Sequence, residues 1–86
     1  MAKAMSYPEV FRILIDGGYV ASAYHAQKAA EHTVHGPGGR RQGHLTGLQM
    51  EELLKAGVLQ YDKQTQPEKG AEFIQFFRMR KASEVE

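Results

Sequence analysis

Three times in this chain a Ser or Thr is followed three residues later by Glu or Gln: Ser6 with Glu9, Thr46 with Gln49, and Thr65 with Glu68. In such a pair each side chain satisfies a backbone amide left free at the start of a helix, so the pattern constrains where helices can begin. Pro8 and Pro67 fall in the first turn of two of them, where a missing amide costs little.

From these starts the chain divides into expected elements. The first helix runs from about Pro8 to Asp16, with Val10, Phe11, Leu14 and Ile15 on one face and Gly17-Gly18 as its stop. Tyr19 and Val20 read as a short extended piece. A second helix is expected from about Ser22 to His32. Ala23, Ala26 and Ala30 line one side of it, and His25, Lys28 and His32 form a basic face on the other. Thr33 to Gly43 has no periodicity and is rich in glycine, so it reads as a mobile loop. A third helix starts near Thr46 and ends at Gly57 as a C-cap, with Met50, Leu53 and Leu54 facing inward. Val58 to Tyr61 reads as a short strand and Asp62 to Gln64 as a turn. A last helix runs from about Pro67 to Lys81, and residues 82–86 form a tail. The expectation is one mostly α domain over residues 1–86 with a small β-hairpin.

Composition narrows the function classes. The chain has 86 residues, no cysteine and a net charge of +1. Disulfide scaffolds and thiolate zinc sites are thereby excluded, and a cytoplasmic location is the expectation. No apolar run approaches the ~20 residues of a membrane span, so no membrane partner is expected. Positive charge gathers in the first half: residues 1–46 hold five Lys/Arg against three Asp/Glu, together with all four histidines. An anion-binding surface should lie there. Metal binding is not expected, because His25, His32 and His35 have only Glu31 as a nearby carboxylate and a zinc site needs three or four converging ligands. Ser6 and Ser22 read as helix starts and Ser83 lies in the tail, so no nucleophile–base pair can be nominated. The expectation is a binding module with no cofactor and no enzymatic activity.

The stretch Leu48-Gln-Met-Glu-Glu-Leu-Leu-Lys-Ala-Gly-Val-Leu-Gln-Tyr61, followed by Thr65-Gln-Pro-Glu-Lys-Gly-Ala-Glu-Phe-Ile74, resembles a winged-helix DNA-binding domain of small microbial, archaeal or viral regulators. Leu53, Gly57, Val58 and Leu59 match the turn after that family's recognition helix. Thr65, Lys69, Gly70 and Phe73 match the start of its C-terminal helix. The match spans residues 45–77. It implies a winged-helix fold with a three-helix core and a C-terminal helix, and a reading helix in the major groove of double-stranded DNA. His44, Thr46, Gly47 and Gln49 would then lie near base edges. Arg40, Arg41 and Gln42 would sit in the basic loop before the helix, Lys28 on the second helix, and Lys63 and Gln64 in the wing.

Phe73, Ile74, Phe76 and Phe77 would spread over about 160° of a helix. That width suggests a homodimer through the C-terminal helix, with Phe73, Phe76, Phe77 and Arg80 at its interface. Two reading helices would stand about 34 Å apart on a pseudo-palindromic site, as in a small transcriptional regulator. The alternative is a protein-interaction module on the same fold, such as a viral, plasmid or ribosome-associated factor docking on a host protein.

Overall fold

The computed structural model describes residues 3–25, 28–65 and 73–80, with the side chain of Lys28 left aside. Along the chain the elements are α1 (Tyr7–Ile15), β1 (Tyr19–His25), β2 (Lys28–His35), β3 (Arg41–Leu45), α2 (Gly47–Lys55), β4 (Leu59–Thr65) and β5 (Phe73–Met79). The strands form one antiparallel sheet in the order β3-β2-β1-β5-β4. Strand accounts for 49% and helix for 26% of the described residues, so the mostly α expectation is overturned.

The two helices begin where the sequence indicated. At α1 the Glu9 carboxylate accepts hydrogen bonds from the Ser6 amide (3.3 Å) and hydroxyl (2.8 Å). At α2 the Thr46 hydroxyl accepts from the Gln49 amide (3.1 Å), and the Gln49 side-chain oxygen accepts from the Thr46 amide (2.9 Å). Gly57 follows α2 with φ of +76°, the left-handed conformation that a helix C-cap favours. Of the third pair, Thr65 ends β4, and Glu68 and Pro67 lie outside the described residues.

The expected second helix is instead the strand pair β1–β2. Ala23 and Ala30 favour helix locally, but strand alternation buries a better set of side chains. Val20 and Val34 pair in register and are both fully buried, and Ser22 pairs with His32 directly behind them. Tertiary burial outweighs propensity differences of a few tenths of a kcal/mol per residue. The expected last helix is β5 over Phe73–Met79, an interior strand between β1 and β4. The wide aromatic arc has the same origin: in a strand successive residues point to opposite faces, so Phe77 enters the core while Phe76 points away from it. The loop expected over 33–43 shrinks to the hairpin Gly36–Arg40, closed by the Gly36 amide donating to the Arg40 carbonyl at 2.9 Å.

The winged-helix resemblance therefore does not hold. Among the described residues two helices stand where four were expected, neither forms a helix-turn-helix pair, and Phe73–Met79 of the C-terminal helix proposed for dimerisation is a strand. Among the described residues no helix is long and apolar enough to cross a membrane.

Both helices lie on one face of the sheet. Val10 and Leu14 of α1 and Met50 and Leu53 of α2 pack against Val20, Val34, Leu45, Leu59 and Phe77. Met5 extends this core at the β3 end, where its amide donates to the His44 carbonyl (2.9 Å) and its carbonyl accepts from the Gln49 side chain (2.7 Å). No described segment covers the opposite face.

Candidate functional site

Strand alternation decides what that open face carries. Because Val20, Val34 and Phe77 point to the helices, their neighbours Tyr19, Ala21, Thr33, His35 and Phe76 point the other way. Tyr19 and His35 pair in register on β1 and β2, and their rings stack with centroids 5.0 Å apart and planes 6° apart. That separation matches the ~4.8 Å spacing of adjacent strands, so each ring stands upright over its own strand. Phe76 on β5 meets Tyr19 edge to face at 5.6 Å. Cations complete the row: the Lys63 Nζ lies 5.5 Å from the Phe76 centroid and the Arg78 guanidinium 5.5 Å from that of Tyr19. The three rings are half-buried, held by their neighbours yet reachable from solvent.

Hydrogen bonds fix the row. The Thr33 hydroxyl and His35 Nε2 are 2.8 Å apart, and His35 Nδ1 lies 3.1 Å from the Gly39 carbonyl. Arg78 donates to the Asp62 carboxylate (3.2 Å) and to the Gly17 carbonyl (3.3 Å). One face of the His35 ring is occupied by Tyr19. The other looks across β2 towards β3, where Arg41 pairs in register with His35.

At the end of β2 remote from His35 the sheet has a gap. β3 pairs with β2 only from His32 onward, so no described strand lies outside Ala30 and Glu31. A hollow of about 490 Å³ opens there, lined by Glu31, Thr33, Arg41, His44, Thr46 and Gly47 among others. Glu31, Arg41 and Thr46 are exposed, and Thr33 and His44 are half-buried.

The sequence-nominated residues scatter over the fold. Arg40 lies in the β2–β3 hairpin, Arg41 and His44 on β3 beside the hollow, and Lys63 over Phe76. Gln42 sits at the β3 irregularity and faces a second hollow with Arg12, Ile13 and Pro37. The side chains of Thr46 and Gln49 are engaged in capping α2 and, for Gln49, in holding Met5. Gln64 accepts from Gln75 at 3.2 Å, and Lys28 opens β2 opposite His25. Of the residues expected at a dimer interface, Phe77 is core and Phe76 belongs to the open-face row. Phe73 stacks on Tyr24 at 4.6 Å, and Arg80 follows β5 with its amide on the Val58 carbonyl at 2.8 Å. The helix that was to group these four is absent, and strand alternation divides them between the two faces.

Sequence reasoning missed Tyr19 and His35 as a pair, and it placed Ser22 and His32 on a helix. Their spacing of sixteen residues carries no local signal; only the hairpin register joins Tyr19 to His35. Ser22 and His32 do form a close serine–histidine contact, at 2.7 Å, but Ser22 is fully buried, so its hydroxyl cannot reach a substrate. Burial pushes the His32 imidazole below its ordinary pKa. Among the described residues no group of three or more His, Cys, Asp or Glu is arranged to hold a metal ion.

No family model, curated protein or solved structure matches the chain.

Proposed function

We propose that the open sheet face binds single-stranded nucleic acid, and that the helices serve only to support it. The observation that carries this reading is the upright Tyr19–His35 stack, whose outer ring face turns towards Arg41 on β3. A base added there continues the stack at the same spacing. Lys63 and Arg78 at one end of the row and Arg40 and Arg41 at the other supply charge for the phosphates on either side. An open antiparallel sheet with aromatic rings and flanking cations is a recurrent solution for unpaired bases, because every base has a π-face while a duplex hides its own. The modest net charge of +1 fits a site that gains affinity from stacking as well as from phosphate contacts.

The test is fluorescence anisotropy with labelled oligonucleotides of about a dozen nucleotides, a length within the range that single domains cover. Single strands of mixed sequence, as DNA and as RNA, are compared with the same DNA as duplex. Single strands should bind tighter. His35→Leu should weaken binding roughly 5- to 150-fold, the loss expected for one stacked base. Absence of single-strand binding at low salt, or a preference for duplex, defeats the reading.

A further inference from the structure

We propose that the protein self-associates through the outer edge of β4, where a second copy of the chain adds its own β4 across a two-fold axis between Asp62 and Lys63. β4 closes one side of the five-stranded sheet, and no described strand lies outside it. Its residues from Gln60 to Thr65 are all exposed. On the other side of the sheet the edge strand β3 is already engaged, since its His44 carbonyl accepts from the Met5 amide. A free strand edge offers a row of backbone donors and acceptors to another chain.

Two observations select the partner and the register. The first is the order in which the β4 side chains point. Pairing with β5 sets Gln60 opposite Arg78, Tyr61 opposite Phe77, Lys63 opposite Phe76, Gln64 opposite Gln75 and Thr65 opposite Ile74, with Asp62 as the extra residue where the register shifts. Directly opposed residues of antiparallel strands share a face. Tyr61 and Gln64 therefore lie on the helix side, and Gln60, Lys63 and Thr65 on the open side. Asp62 also turns to the open side, where its carboxylate accepts from Arg78 at 3.2 Å while Arg78 lies over Tyr19. From residue 60 to 65 the sides read open, helix, open, open, helix, open. That order is the same in both directions, so an antiparallel second copy with Asp62 opposite Lys63 keeps every pair on matching sides. Without the extra residue, strict alternation would put the members of each such pair on opposite sides. Centring the axis on Asp62 alone would set Tyr61 against Lys63, again on opposite sides.

The second observation is charge. In the register that the sides select, each Asp62 faces Lys63 of the second copy, once on either side of the axis. Centring on either residue would oppose like charges. The Arg78 bond uses Oδ2 of Asp62, which leaves Oδ1 for the facing ammonium. A lysine or an extra residue on an edge ordinarily discourages pairing; here each meets its complement. The two sheets become continuous, with both open faces on the same side.

Sedimentation velocity without nucleic acid tests this, independently of the single-strand reading. One strand pair is a small interface. Wild type is therefore run from about 10 μM to about 1 mM, a range that spans weak dissociation constants. It should form a dimer whose affinity falls as salt rises. Asp62→Lys and Lys63→Asp stand at exposed positions and should keep the wild-type melting curve. Each opposes like charges in its own dimer and should self-associate about tenfold more weakly, or less still. Mixed in equal amounts, the two variants should regain the wild-type affinity as a heterodimer, because the lysines of one then face the aspartates of the other. A wild type that stays monomeric at the highest concentration overturns the inference. So do single variants that dimerise as tightly as wild type, and so does a mixture that associates no better than its components.

Discussion

The Ser22 hydroxyl and His32 Nδ1 lie 2.7 Å apart, on paired positions of β1 and β2, with Ser22 fully buried and His32 nearly so. Each is the partner that makes the other tolerable behind the core. Ser22→Ala strands a buried ring nitrogen and should cost about 1–3 kcal/mol. The double variant Ser22→Ala/His32→Leu removes both polar groups and should recover most of that loss. Urea denaturation of the three proteins checks this; a double variant no more stable than Ser22→Ala refutes it.

Stability should also depend on pH through the same histidine. Burial holds the folded-state pKa of His32 below its ordinary value of 6.5. Between the two values the unfolded chain binds more protons than the folded one, so stability rises with pH there. The penalty therefore begins as pH falls through 6.5 and is complete below the folded-state value. Melting curves from pH 7 to pH 5 should show a smaller drop for His32→Gln than for wild type. Equal drops would assign the acid sensitivity to other groups.

Gly18 sits where the turn after α1 meets the end of β2. A Cβ there would collide with the His35 carbonyl oxygen and with Ile13 Cγ2, and the first of these is backbone that cannot swing aside. Gly18→Ala should thus destabilise the protein by about 1–3 kcal/mol, the range for overpacking a tight site. It should also disturb the Tyr19–His35 stack that begins one residue later. A melting temperature equal to wild type would show that the turn relaxes freely.

The parts of the fold that were legible are those encoded by local chemistry. The Ser6–Glu9 and Thr46–Gln49 pairs mark both helix starts, and Gly57 at φ +76° marks the end of α2. What could not be read is what depends on distant partners. Ala23 becomes a strand residue because β2 and β5 lie alongside it, and Ala30 because β2 pairs with β1. The row of rings likewise draws Tyr19, His35 and Phe76 from three strands, so no short window of sequence contains it. Arg41, His44 and Lys63 were nominated for a basic loop, a reading helix and a wing. They border the open face because strand alternation, not helix register, directs them.

Phe76 and Phe77 give the sharpest test of that alternation. Phe77 is 6% exposed and packs with Val20 and Leu59, so Phe77→Ala should cost about 3–5 kcal/mol. Phe76 stands on the opposite face and contributes mainly its edge contact with Tyr19, worth about 0.5–1.5 kcal/mol. Phe76→Ala should therefore remain folded with a loss of about 1 kcal/mol, yet weaken single-strand binding by disordering the row. In a helix the two residues would be 100° apart on one apolar arc, and both substitutions would injure the same packing. Denaturant titration of the two variants, read beside their oligonucleotide affinities, separates the cases. Comparable destabilisation by Phe76→Ala and Phe77→Ala would contradict the strand assignment of β5. A stable Phe76→Ala protein that binds single strands as tightly as wild type would leave the fold intact and remove Phe76 from the binding face.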